Sequence, residues 1–328
     1  MRRREFITLL GSAATWPMAA VAQQDRRVRR VGFLMSYGEG DREGEERLSA
    51  FRESLRQTGW IEGQTLRMDV RWFGGDPERA RAHAKELVEQ SPDIIVANGT
   101  PAVAAARQLT RSIPVVFVVV VDPLGAGFVE NLSRPGGNIT GFSTFEPQIG
   151  GKWLELLREI APRASRVGVL TDPDFRGFSE LSQTIETMAP GFGLRAVAVH
   201  GRNSEDIGKN IEDFARQENG ALIALPTPAN SVNRAQIFAL ATRYRLPAIY
   251  PFSFLARSGG LLSYGFDSVD LFKRAAPYVA RILNGEKAGD LPVQAPTKYE
   301  LVINLKAAKA LGLTVSSSML SRADEVIE

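Results

Sequence analysis

The chain has 328 residues, which is about two domains at ~150 residues each. Apolar residues make up 44% and charged residues 23% of it, which excludes a disordered chain, a collagen-like fibre and a coiled coil. It contains no cysteine and only two histidines, so disulfide scaffolds, thiolate metal sites and thiol nucleophiles are excluded and a histidine-rich metal site is not expected.

The N-terminal segment has the pattern of an export signal. Three arginines are followed by a moderately apolar stretch, and the Ala-Val-Ala sequence at 20–22 fits the small-residue cleavage pattern. We therefore predict a signal peptide over 1–22 and a mature protein in the periplasm. Arg3-Arg4 resembles the twin-arginine signal, and an ordinary Sec signal is the alternative. Without this segment 37 basic and 36 acidic residues remain, which leaves no electrostatic footprint for nucleic acid.

The sequence after this segment predicts a similar order of elements in its two halves. In the first half, the predicted elements are strand 29–36, helix 45–58, helix 78–89, strand 93–98, helix 102–109 and strand 113–117. In the second half, they are strand 165–172, helix 178–188, strand 195–199, strand 221–225, helix 235–244 and strand 246–250. A strand at 260–264, a helix at 271–283 with Asp267 as its cap, a strand at 300–303 and a helix at 305–311 follow.

The predicted strands are near-continuous apolar runs, as in parallel strands that helices cover on both faces. We therefore predict an α/β protein with two Rossmann-like lobes, each with a parallel sheet and right-handed crossovers, joined by a three-segment hinge. The predicted first lobe is 28–143 plus 254–291, and the second is 148–250 plus 297–320. The predicted linkers are 143–147, 250–253 and 291–297.

Candidate ligand-binding residues follow from this fold, because open parallel sheets bind ligands beyond the carboxyl ends of their strands. The candidates lie at these strand ends and in one linker: Ser36, Tyr37, Asn98, Thr100, Asp122, Asp172, Pro226, Thr227, Phe252 and Tyr264. Thr100 and Thr227 each precede a proline, which predicts two helix N-termini with free N–H groups that would bind an anion in the cleft. Plain caps without a ligand are the alternative.

The remaining candidates have two interpretations each. Asp122 and Asp172 would either hold a ligand ammonium group or cap a turn, and a turn is favoured for Asp122. Tyr37, Phe252 and Tyr264 would either enclose an apolar or aromatic group or pack in the core and hinge. The glycine spacings do not fit a dinucleotide-binding motif, and no P-loop or nucleophile elbow is present, so we expect no cofactor, metal or catalytic residue.

Several segments resemble a known family. The chain is similar to the substrate-binding proteins of ABC transporters, in the group that includes tryptophan-type binding proteins, which have the type I periplasmic binding fold. The segments that carry the resemblance are 98–102, 135–141, 262–265, 291–293 and 301–308. The Pro-Gly-Gly-Asn-Ile-Thr-Gly sequence and the C-terminal segment are fairly specific together.

The resemblance implies a solute-binding protein that delivers a small organic solute to an inner-membrane permease. The predicted helix ends and carboxylates match an amino acid or an aromatic or aliphatic carboxylate, and ligand binding would close the hinge. We expect a monomer that binds no nucleic acid. The alternatives are a ligand sensor for a membrane receptor and, less favoured, an exported α/β enzyme that uses a carboxylate such as Asp172.

Overall fold

The computed structural model describes residues 27–144, 148–174 and 176–328. The predicted export signal therefore lies outside the described residues, as does 145–147 in the first predicted linker. Within the described ranges no helix has the length and apolar character needed to cross a membrane.

Twelve strands and twelve helices are described in these ranges. The strands are β1 (Arg29–Met35), β2 (Leu66–Trp72), β3 (Ile94–Asn98), β4 (Val115–Val120), β5 (Ile139–Ser143), β6 (Arg166–Thr171), β7 (Arg195–His200), β8 (Gly220–Ala224), β9 (Ala248–Tyr250), β10 (Leu262–Phe266), β11 (Tyr299–Asn304) and β12 (Glu325–Ile327). The helices are α1 (Arg42–Gln57), α2 (Pro77–Glu89), α3 (Thr100–Leu109), α4 (Ile149–Ile160), α5 (Ser179–Met188), α6 (Ser204–Ala215), α7 (Pro228–Val232), α8 (Arg234–Arg243), α9 (Ser253–Arg257), α10 (Ser268–Leu283), α11 (Leu305–Ala310) and α12 (Ser317–Arg322).

The strands form two sheets with the same internal order. The first is β2-β1-β3-β4-β5, and the second begins β7-β6-β8-β9-β10 and continues with β11 and β12. Every pair is parallel except β10 with β11. The two-lobe α/β prediction is thus confirmed. In each sheet the order reverses beside the first strand, between β1 and β3 and between β6 and β8, where open sheets bind ligands.

Each sheet is covered on both faces, as continuous apolar strands require. In the first lobe, α1 and α10 cover one face, and Phe33 packs there between Phe51 and Phe272 with ring centroids 5.1 and 6.3 Å apart. The predicted cap of α10 is confirmed, because the Asp267 carboxylate accepts a hydrogen bond from the Asp270 amide at 3.0 Å.

One boundary of the predicted lobes is wrong. β10 pairs with β9 and β11, so segment 254–266 lies in the second lobe and not in the first. The chain returns to the first lobe only at 266–268, where α10 begins, and the predicted linker 250–253 instead connects β9 to α9 within the second lobe. The apolar strand was assigned to the wrong sheet because its sequence does not encode which neighbour it pairs with.

Candidate functional site

Two polar side chains meet at the carboxyl ends of β1 and β3. The side-chain Oδ1 of Asn98 accepts hydrogen bonds from the Ser36 backbone N–H, at 3.2 Å, and from the Ser36 hydroxyl. The Asn98 Nδ2 donates to the Val118 carbonyl at 3.3 Å. Asn98 is buried and Ser36 is half-buried. The structure therefore brings together two predicted residues at the reversal point of the first sheet.

The N-terminus of α3 lies beside this pair. Gly99, not Thr100, is the N-cap, with φ +84°, a conformation that favours glycine. Thr100 is consequently the first helical residue, and its hydroxyl does not cap the helix. Among the described residues, none accepts from the Thr100 N–H or bonds to its hydroxyl, and the residue is half-buried. The predicted donor end of α3 is therefore present, with Thr100 in a different position.

A cationic and aromatic cluster forms the wall next to Tyr37. The guanidinium of Arg47, a residue only 3% exposed, lies 5.1 Å from the Tyr37 ring centroid and 5.9 Å from that of Phe254. Arg47 also donates to the Ser268 hydroxyl at 2.7 and 3.1 Å and pairs with Glu43 at 3.0 Å. Burial raises the pKa of the Tyr37 hydroxyl, and the charge of Arg47 opposes that change.

This cluster shows that the strand ends of the two lobes face each other. Arg47 lies on α1, which follows β1, whereas Phe254 lies on α9, which follows β9. Phe252 lies where the buried clusters of the two lobes meet, and its ring contacts those of Phe254 and Phe266 with centroids 5.8 and 5.6 Å apart. We call the space between the ends of β1, β3 and β4 and the ends of β6, β8 and β9 the cleft.

The second lobe contributes less to the cleft than the sequence predicts. Thr227 is the N-cap of α7, as predicted, and its hydroxyl accepts a hydrogen bond from the backbone N–H of Asn230 at 3.2 Å. However, Thr227 is 0% exposed and α7 has only five residues, so a donor end open to the cleft is not found there. Pro226 is half-buried and lines a small pocket with Asn230 and Tyr250.

The two strand-end carboxylates both bond to their own loops. Asp122 accepts from the Gly125 amide at 2.7 Å, which confirms the turn interpretation, and its φ of +43° fits a tight turn. Asp172 accepts from the Asp174 amide at 3.0 Å through Oδ1, and the residue is half-buried. Asp172 therefore combines a turn with a partly accessible carboxylate.

Tyr264 lies in the second lobe near the hinge. Its ring stacks on Tyr299 with centroids 5.8 Å apart, and its backbone carbonyl accepts from the indole N–H of Trp153 at 2.6 Å. The ring packs against the buried cluster around Trp153. The contacts of Tyr264 therefore match the second interpretation given above, packing in the core near the hinge. Its strand, β10, belongs to the second lobe and not to the first as predicted.

Two segments that cross between the lobes are tied together. The Lys298 ammonium contacts Asp267 at 2.8 Å and Glu300 at 3.2 Å, and the Asp267 amide donates to the Lys298 carbonyl at 3.0 Å. Burial would raise the pKa of Asp267, but the hydrogen bonds it accepts, that of Lys298 first, hold it below the usual value. These contacts hold the two segments that cross between the lobes side by side.

Two residues of interest were not predicted from the sequence. Arg47 shares the buried face of α1 with Gly44, Leu48, Phe51 and Leu55. The sequence does carry a signal for Arg47, because a charged residue stands on the apolar face of a predicted helix. Asn230 is 5% exposed, and its Oδ1 has no partner among the described residues. No sequence signal distinguishes it from a surface asparagine of a short helix.

Comparison with protein families gives a match to the model described as ABC transporter substrate binding protein, over residues 42–327. The chain belongs to this family. It is therefore a binding protein of the ABC transporter class and not an enzyme. Members of this family bind small molecules and deliver them to a permease, which agrees with the resemblance seen in the sequence.

Similar proteins of known structure or description support the same fold. A protein of Clostridioides difficile strain R20291, described as a tyrosine-binding protein, is 26% identical over 264 residues, which are 80% of this chain and 75% of that protein. A structure from Streptococcus pneumonia in complex with L-Trp has a TM-score of 0.84 at 23% identity, covering 92% of this chain and 100% of the other. The ligand-free, open structure of a Clostridium difficile substrate-binding protein with adhesive properties has a TM-score of 0.72 at 24% identity, covering 92% and 99%.

Proposed function

We propose that this protein captures an amino acid, with an aromatic side chain preferred, in the cleft and delivers it to an ABC permease. The observation that carries the proposal is the pair of groups at the reversal point of the first sheet. Thr100 offers an unpaired N–H and hydroxyl at a helix N-terminus, and Ser36 lies beside it on the neighbouring strand end. A carboxylate and an ammonium group on one carbon match that arrangement.

The rest of the cleft fits the same class of ligand. Tyr37 and Phe252 lie on the two sides of the cleft and offer apolar rings to a side chain. Asp172, at the end of β6, is the carboxylate of the second lobe that would neutralise the ammonium group when the lobes close. A relative described as tyrosine-binding and a similar structure that holds L-Trp support an aromatic amino acid.

Closure of the two lobes around the ligand is the proposed mechanism. A ligand that contacts Thr100 and Ser36 in the first lobe and Asp172 in the second has more contacts in the closed form, so it shifts the population towards closure. A shift from 1:99 to 99:1 needs about 5.5 kcal/mol of differential affinity. Charge-assisted hydrogen bonds at both ends of a zwitterion and one buried ring are of that magnitude.

Calorimetry with L-tyrosine and L-tryptophan tests the proposal, with myo-inositol and galactose as uncharged controls. We expect saturable binding of at least one amino acid and none of the controls. Thr100→Val should weaken amino-acid binding about tenfold, because a charged group loses a hydrogen-bond partner. Thr187→Val, at an exposed site on α5, is the matched control and should leave the affinity unchanged. Binding of a control sugar with no binding of amino acids would overturn the proposal.

The proposal includes export to the periplasm, with cleavage near Ala22. The N-terminal sequence of the protein purified from the periplasm should begin near Gln23. Replacing both Arg3 and Arg4 by lysine should block export if the twin-arginine route is used. A periplasmic protein that retains Met1 would contradict the cleavage, and a purely cytoplasmic protein would contradict the location.

A further inference from the structure

The hydrogen bonds around Asn98 fix the orientation of its amide group. Its Oδ1 faces the Ser36 N–H, and its Nδ2 faces the Val118 carbonyl. If the amide were flipped, its NH2 group would face the Ser36 N–H and its oxygen would face the Val118 carbonyl. Two donors and two acceptors would then meet, so both hydrogen bonds would be lost. Asn98 is 2% exposed, and water therefore does not replace them.

This orientation determines what Ser36 can do. An amide oxygen only accepts, so the contact between the Ser36 hydroxyl and Asn98 Oδ1 uses the hydroxyl proton. The Ser36 N–H is used by the same oxygen. Ser36 therefore presents to the cleft only the lone pairs of its hydroxyl, which accept hydrogen bonds and do not donate them.

The neighbouring strand end has the opposite polarity. Thr100 presents an N–H and a hydroxyl that have no partner among the described residues, at the positive end of α3. The two strand ends are adjacent, since a Cβ built on Gly99 would lie 3.8 Å from the Ser36 Cβ. An acceptor and a donor group thus stand side by side in the first lobe.

We propose that Asn98 makes Ser36 an acceptor-only group that recognises the ammonium group of the ligand. The proposal rests on the proposed function and goes further. It states that Ser36 and Asn98 together distinguish an amino acid from its deaminated analogue, which has the carboxylate but no ammonium group. Ser36 touches the ligand, and Asn98 is a positioning residue that acts through it. A site built to bond a polar group rejects the analogue that lacks it.

The test compares two pairs of ligands by calorimetry: L-tyrosine with 3-(4-hydroxyphenyl)propanoate, and L-tryptophan with indole-3-propanoate. The parent protein should bind the amino acid at least tenfold more tightly than its deaminated analogue. Ser36→Ala should remove most of that ratio by weakening the amino acid alone. Asn98→Ala should also lower the ratio, because the freed hydroxyl can donate. Ser36→Thr, which keeps the hydroxyl, should retain the parent's ratio of the two affinities.

Ser133 supplies a matched control. Its N–H and hydroxyl both donate to Asn131 Oδ1 at 2.7 Å, the same pattern in an exposed turn away from the cleft. Ser133→Ala should leave both affinities unchanged. Equal weakening of amino acid and analogue by Ser36→Ala would show a structural role and overturn the inference while the proposed function stands. A parent that binds neither amino acid would overturn both.

Discussion

The contact between Arg47 and Phe254 links the two lobes and should bias the protein towards closure. Its guanidinium-to-ring distance of 5.9 Å is near the outer limit for a cation–π interaction, but Arg47 is only 3% exposed. We take its contribution as about 1 kcal/mol, which is about a fivefold change in the ratio of closed to open protein.

Phe254→Leu tests this, because it keeps the apolar volume and removes the ring. The chain has no cysteine, so two labels can be introduced without background, at Glu78 in the first lobe and Val232 in the second, whose exposed fractions are 80% and 78%. Spin-label distances without ligand should shift towards longer values in Phe254→Leu.

A control variant removes the same kind of contact within one lobe. Arg107 lies 5.9 Å from the Phe128 ring in the first lobe, so Phe128→Leu should not change the distance between labels. If Phe254→Leu gives the same distance distribution as the parent, the contact does not contribute to closure and the reasoning is refuted.

Three further predictions concern stability. Gly141→Ala should cost about 2–4 kcal/mol in chemical denaturation, because the added Cβ would lie 2.1 Å from the Phe117 carbonyl oxygen, and a parent-like midpoint would contradict this. Burial would raise the pKa of Asp93, but a backbone amide and Arg29 bond to it and hold the pKa below its usual value. The stabilisation that Asp93 gives is therefore complete above the unfolded pKa and is lost as the pH falls through the folded pKa. Asp93→Asn should lower the free energy of unfolding at pH 7 by about 1–2 kcal/mol and make it depend less on pH in the acid range. An unchanged pH dependence in the acid range would argue against this. Thr227→Val should cost about 1 kcal/mol in thermal or chemical unfolding, since it removes a buried helix cap, and no loss would show that the cap is dispensable.

Periodicity and apolar runs predicted most of the first sheet and the repeat of its order. β3 and β4 are fully or almost fully buried, so their sequences are continuous apolar runs. β2 was missed because it is an edge strand with charges, Leu-Arg-Met-Asp-Val-Arg-Trp, and is largely half-buried. β5 was missed because its Ile-Thr-Gly-Phe-Ser sequence is short and contains a glycine that packs against Phe117.

The candidate site was predicted by position rather than by contact. Strand ends gave Ser36, Asn98 and Thr100, because parallel strands bring their carboxyl ends to one edge. The exact cap of α3 was wrong by one residue, since Gly99 and Thr100 both suit a helix start and only the backbone conformation decides between them. The contact from Arg47 to the second lobe joins residues that are more than 200 positions apart, and no local pattern reports such a pair.

A crystal structure of the protein with L-tyrosine tests the central claim most directly. We predict the amino acid between the two lobes, with its carboxylate on the Thr100 N–H and hydroxyl and its ammonium group on the Ser36 hydroxyl. Asp172 should approach the ammonium group from the second lobe. A ligand bound outside the cleft, or bound in it with the ammonium group away from Ser36 and the carboxylate away from Thr100, would contradict this account.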